Sequence, residues 1–168
     1  APVPSLQVPS VCIGVHLWLC RVFWVWRRLE PDNEHMGSDL ARKVVAVARL
    51  AAVAAGHRAA GRTVALAHGC FDIVHPGHVN YLQFARQQAD VLVVSLTGDD
   101  AIEKSDGMRP YVPQELRAQN LAALEAVDHV VVVDGATAEP VITALRPDVY
   151  VKGQEYEHST HPGFLAEK

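Results

Sequence analysis

Neither of the common phosphate-binding signatures is present in this 168-residue sequence. There is no G-x-x-x-x-G-K-[ST] and no G-x-G-x-x-G, so a P-loop and a dinucleotide fingerprint are both unavailable. Cysteine is scarce. Cys12, Cys20 and Cys70 are three in number and lack zinc-ligand spacing, which points to a reducing compartment and a cytoplasmic location. Excess positive charge is also missing: 15 Lys and Arg against 19 Asp and Glu leave a net charge of −4. That balance argues against broad nucleic-acid binding, which needs a basic face, and means that an anionic ligand must be met by local groups. A membrane span is not expected either. The apolar, aromatic stretch 11–26 is broken by His16 and Arg21 and closes on Arg27-Arg28, and it falls short of the about 20 residues a span requires. It lacks the leading positive charge and small-residue cleavage site of a signal peptide.

Residues 1–36 read as an extension or leader distinct from the domain at 37–168; an upstream leader, a misplaced start and a packed extension all fit. The chain begins with Ala, and Met36 sits just before the organised region. From Ser38 onward a regular alternation sets in. Ser38-Asp39 can cap a helix, and Leu40, Val44, Val47, Leu50 and Val53 form one helical stripe up to Gly56. A strand follows at 63–67 and a helix to about residue 88. Next come an apolar strand at 91–96, a polar and mobile loop at 103–112, and a helix at 113–127 with Leu116, Leu121, Leu124 and Val127 on one side. A strand at 130–133, a helix at 137–145 and a strand at 148–152 complete the pattern. Such alternation predicts an α/β fold, a Rossmann-like three-layer sandwich with a mostly parallel sheet. Ligands of these sheets bind beyond the carboxyl ends of the strands, where the sequence places Gly69 to His78, Thr97 to Asp100 and Lys152 to Glu155.

The most distinctive stretch is Gly69-Cys70-Phe71-Asp72-Ile73-Val74-His75-Pro76-Gly77-His78, a strand-to-helix crossover. A helix start presents unpaired N–H groups and partial positive charge, which bind phosphate. Gly69 and Gly77 let a ligand approach the backbone, and His75 and His78 lie in the first turn, where both can donate to one anion. The alternatives are a metal half-site, for which no third ligand stands at suitable spacing, and two structural histidines. Cys70 reads as a small buried residue beside the site, and Asp72 as a structural cap.

His75-Pro76-Gly77-His78 after a strand resembles the HxGH signature of the nucleotidylyltransferase superfamily, and Gly69-Cys70-Phe71-Asp72 sharpens the likeness. Within the cytidylyltransferase-like branch, the sequence is most similar to the adenylyltransferase domains of bacterial ADP-heptose synthases. Lys104-Ser105-Asp106-Gly107-Met108-Arg109-Pro110, Leu116-Arg117, the run from Ala122 to Asp128, and Arg146-Pro147-Asp148-Val149-Tyr150-Val151-Lys152-Gly153 carry that similarity. The resemblance implies transfer of a nucleotidyl group from an NTP, ATP favoured, to a sugar 1-phosphate or polyol phosphate, with release of pyrophosphate. A cytidylyltransferase for glycerol 3-phosphate and a non-catalytic nucleotide-binding protein are the rivals. His75, His78 and Lys104 are then the catalytic candidates. Gly69, Cys70, Phe71, Gly77, Arg117, Lys152 and Gly153 are the nucleotide-binding ones, a surface salt bridge being the alternative for Arg117. Magnesium would arrive with the NTP, and a homodimer follows from likeness to the family. The family's further strand and Ser/Thr-rich segment have no counterpart after Gly153, so the expectation is a transferase half truncated at its C-terminus, with no sugar-kinase domain before it.

Overall fold

The computed structural model describes residues 38–102, 110–135 and 137–153, all within the unit Met36–Lys168. The extension at 1–36 and most of the 103–112 loop lie outside the described residues. Strands β1 (Val64–Gly69), β2 (Val91–Thr97), β3 (His129–Val133) and β4 (Val149–Val151) form one parallel sheet in the order β3-β2-β1-β4. Helices α1 (Ser38–Lys43), α2 (Leu50–Ala59), α3 (Pro76–Arg86), α4 (Gln114–Ala122) and α5 (Glu139–Leu145) accompany it. No helix among the described residues is long and apolar enough to cross a membrane.

The three layers follow from side-chain alternation along the central strands. Ala65, Ala67, Leu92, Val94 and Leu96 pack on Leu82 of α3 and Leu121 of α4. Their neighbours Val64, Leu66, Val91 and Val93 pack on Leu50 of α2 and Leu145 of α5. Both faces are covered, so β2 is buried along its whole length and reads as an unbroken apolar run. Crossovers between parallel strands are right-handed. Stepping β1 to β2 to β3 therefore puts α3 and α4 on one face, and the return from β3 past β1 to β4 puts α5 on the other. The direction in which strands are added reverses when β4 returns to the far side of β1, and a crevice opens between β1 and β4 at the carboxyl edge.

The opposite edge is clasped by carboxylates. Asp128 Oδ2 accepts from Leu92 N (2.8 Å) while its own N–H donates to Leu92 O (3.0 Å). Asp148 makes the same two bonds with Val64, at 2.8 and 2.9 Å. Asp90 accepts from the backbone N–H and hydroxyl of Thr63, at 2.9 and 2.8 Å. The Thr63 backbone bond, followed by that of its hydroxyl, holds the Asp90 carboxyl below its usual range. Nearby, His57 Nε2 of α2 lies 3.0 Å from His129 Nε2 at the start of β3. Burial pushes both imidazoles below their ordinary value; Arg62 adds to the effect at His57, and at His129 so do His57 and Lys43, while Asp128 opposes it at both.

Three expectations are corrected. The helix expected from Ser38 to Gly56 is two helices joined by an extended step and a 3-10 turn (Val47–Arg49). Val44 bridges to Val130 and Val45 N donates to Val130 O at 2.8 Å, capturing the outer edge of β3. There the chain passes from one face of the sheet to the other: Leu40 and Val44 join one core, Val45 and Leu50 the second. A single straight helix could not serve both. The helix expected at 113–127 ends at Ala122, and its inward positions are Arg117, Ala118, Leu121 and Ala122. Leu116 faces outward at 41% exposure. The first strand continues two residues further than expected, to Gly69, which brings His68 into the sheet.

Candidate active site

The crossover between β1 and α3 is built by local sterics. Phe71 adopts φ +46°, a left-handed conformation that costs a non-glycine residue about 1–2 kcal/mol. Burial of its ring to 4% exposure offsets this, since an aromatic side chain gains about 1.5–3 kcal/mol on full burial. The ring meets His78 edge-on, with centroids 5.2 Å apart. A β-carbon on Gly69 would lie 3.1 Å from the Phe71 ring, so the glycine makes room for that turn.

His75 then caps α3. Its backbone is extended (φ −132°, ψ 170°), Pro76 opens the helix, and its Nδ1 accepts from Gly77 N at 3.1 Å. An Nδ1 that accepts carries no proton, so the His75 proton sits on Nε2 and remains a donor. The His75 ring stacks on His78 at 3.9 Å between centroids and 27° between planes. A β-carbon on Gly77 would stand 2.9 Å from His75 Cε1; that stacked pair therefore depends on glycine.

These residues line a cleft of about 680 Å³ at the carboxyl edge, and Gly153, two residues past the end of β4, closes its far side. Seven of the residues expected from the sequence thus meet in one cavity: Gly69, Cys70, Phe71, His75, Gly77, His78 and Gly153; Cys70 is exposed there and not buried as expected. Lys152 stands beside them, with its ammonium 5.3 Å from the centroid of the Tyr150 ring. Lys104 lies outside the described residues. Among the described residues no group of three or more His, Cys, Asp or Glu is arranged to hold a metal ion.

Arg117 is not in the cleft lining, and the surface salt bridge expected as its alternative is overturned. Its side chain is completely buried. Nε donates to Val112 O (2.9 Å), one terminal nitrogen to Cys70 O, and the other to Thr97 O (2.9 Å) and Asp99 Oδ1 (2.6 Å). Asp99 and Gln114 exchange two further bonds, at 2.9 and 3.1 Å. Thr97 and Asp99 consequently belong to a strut around Arg117 and not to the cleft lining, while Asp100 is exposed. Asp72 Oδ1 accepts from Val112 N at 3.0 Å, tying the crossover to the segment before α4.

Sequence reasoning missed His68, Tyr81 and Tyr111, which also line the cleft. Tyr81 OH donates to Val151 O at 2.6 Å and so fastens α3 to the end of β4. Its signal was present in the helical spacing from His78, but a tyrosine there reads as core. Tyr111 is 68% exposed and carries no periodic signal. His68 would have been found by noting a polar residue directly before Gly69 in an otherwise apolar strand.

The model of the Cytidylyltransferase-like family matches residues 66–163, from β1 through the crossover and past β4. The chain is similar to the bifunctional protein HldE of Alcanivorax borkumensis, at 45% identity over 123 residues, covering 73% of this chain and 26% of that protein. It is also similar to the HldE of Geobacter sulfurreducens, at 47% identity over 108 residues, 64% of this chain and 22% of the relative. The chain thus spans about a quarter of the length of these curated relatives. Among solved structures, the lipopolysaccharide core biosynthesis protein of Thermoplasma volcanium matches with a TM-score of 0.50 and 26% identity, over 58% of this chain and 83% of that one. The parallel α/β sheet is consistent with the family match, which spans more than half of the chain, and the chain belongs to the cytidylyltransferase-like family.

Proposed function

We propose that the chain is a nucleotidyltransferase that moves a nucleoside monophosphate from an NTP, with ATP as the favoured donor, to a sugar 1-phosphate such as heptose 1-phosphate. The observation that carries this reading is the stacked pair His75 and His78 at the start of α3, opening on the cleft where β1 and β4 diverge. Membership of the family supports the reaction class. The resemblance to adenylyltransferase domains of ADP-heptose synthases, the HldE relatives and a neighbour named for lipopolysaccharide core biosynthesis support a sugar acceptor.

The chemistry asks little of the protein beyond placement. An oxygen of the acceptor phosphate attacks the α-phosphorus, the bond from that phosphorus to the bridging oxygen breaks, and pyrophosphate leaves in line with the electron pair. A phosphate is already ionised and nucleophilic, so no base is needed, and catalysis consists of positioning and charge stabilisation. His75 and His78 donate to the α- and β-phosphate oxygens, where charge accumulates. Gly69, Cys70 and Phe71 give the nucleotide a close backbone wall, and Lys152-Gly153 meets its base or ribose. Lys104 adds a cation to the triphosphate. Arg117 acts at one remove, by holding the Cys70 carbonyl. The nucleotide enters as its magnesium complex, the metal belonging to the substrate.

Pyrophosphate release tests the reading, with ATP and CTP each offered against heptose 1-phosphate and glycerol 3-phosphate. The expected result is release with ATP and heptose 1-phosphate. Release confined to CTP and glycerol 3-phosphate would replace the substrates, and tight nucleotide binding without pyrophosphate from any pair would make the chain a non-catalytic binder.

A further inference from the structure

We propose that His68 contacts the acceptor and reads its phosphate, an inference that rests on the nucleotidyltransferase reading of the same cleft. His68 pairs with Ser95 in the register of β1 and β2, and its Nδ1 lies 2.6 Å from Ser95 Oγ. Ser95 is completely buried. A buried hydroxyl must place its hydrogen on an acceptor or lose the free energy of that bond, and among the described residues the acceptor within reach is the His68 ring nitrogen. Nδ1 is then unprotonated and the His68 proton sits on Nε2, at the opposite corner of the ring. The side chain is half-buried and lines the cleft. Ser95 thereby fixes both the tautomer and the aim of a third imidazole.

Its position is complementary to that of the other two. Leu66 and Val93, two residues before His68 and Ser95, belong to the core under α2 and α5, so His68 rises on that face of the sheet. α3, which carries His75 and His78, packs on the other face. A ligand across the carboxyl edge is flanked on both sides. With a polyphosphate held at α3, in-line displacement requires the nucleophile to approach from the side opposite the leaving pyrophosphate, and His68 presents a donor away from α3. An oriented imidazole N–H suits a phosphomonoester dianion.

The test uses calorimetry on the 168-residue chain, with α,β-methylene-ATP as the nucleotide probe and heptose 1-phosphate and glycerol 3-phosphate as acceptor probes. In His68→Asn the amide replaces Nδ1 but does not reach the position of Nε2; in His68→Gln it reaches that position. Losing a hydrogen bond to a charged group predicts that His68→Asn weakens acceptor binding about tenfold or more, that His68→Gln recovers it to within about threefold, and that nucleotide affinity stays within about twofold throughout. Thermal midpoints of each variant report whether it folds. Acceptor affinity unchanged in a folded His68→Asn, a parallel loss of nucleotide affinity, or nucleotide binding with neither acceptor bound by the wild-type chain would overturn the role of His68. A wild-type chain that binds no nucleotide would instead overturn the reading of the cleft itself.

Discussion

His75 and His78 do different work although their motif makes them look equivalent. His75 spends Nδ1 on the Gly77 backbone and caps α3, whereas His78 is flanked by the His75 ring on one side and the edge of Phe71 on the other. Replacing His78 by Ala removes a donor to the transferring phosphate, and turnover is expected to fall about a hundredfold or more, as when one oxyanion donor is lost. Steady-state rates of pyrophosphate release check this, and wild-type turnover in the variant would remove His78 from the chemistry. At this scale the motif was legible because its meaning lies in four consecutive residue types. Arg117 was not, since a guanidinium on a helix reads as solvated until the three carbonyls around it are known. His68 was readable as a polar residue in an apolar strand, but its partner Ser95, 27 positions away, was not.

Between elements, Arg117 is the joint. It fastens the carbonyl after β1, the end of β2 and the segment before α4 through one planar group, a geometry that a lysine cannot copy because its ammonium is a point donor. Arg117→Ala leaves those acceptors unmatched, and a loss of about 3 kcal/mol is expected, the lower end for a broken buried pair because Asp99 keeps some contact with water. Urea unfolding measures it; a loss below about 1 kcal/mol would show that water replaces the guanidinium. Arg117→Lys should recover only part of the difference. Helix and strand identities were readable from periodicity, since both faces of the sheet are apolar. The break at Val44-Val45 was not, because the same apolar spacing suits one helix or a chain that wraps the β3 edge and feeds both cores.

For the molecule as a whole, the strand order decides where a ligand can lie, and the alternation of elements was enough to read the parallel sheet but not to rank β4 beside β1. The packing of α5 opposite α3 and the hold of Asp148 on Val64 do that. Global stability should also respond to pH through His57 and His129. Both are held below the ordinary value of 6.5, so the unfolded chain takes up protons that the folded chain refuses. Their contribution is complete above about pH 6.5 and declines as pH falls below it. Thermal midpoints between about pH 7.5 and about pH 5.5 should therefore drop, and His57→Gln, which keeps a hydrogen-bonding group and removes one titrating site, should flatten the slope. Parallel slopes for both proteins would exclude the pair as the source.

Asp90, Asp128 and Asp148 each stand one residue ahead of a strand and take hold of a different, earlier one: Asp90 the start of β1, Asp128 that of β2, Asp148 again that of β1. Each arriving strand thus carries an address, written in a single carboxylate, naming the neighbour it must lie against. Two of the three addresses name β1, and that double assignment is what splits the sheet into a left and a right half at the strand from which the histidine-bearing turn departs.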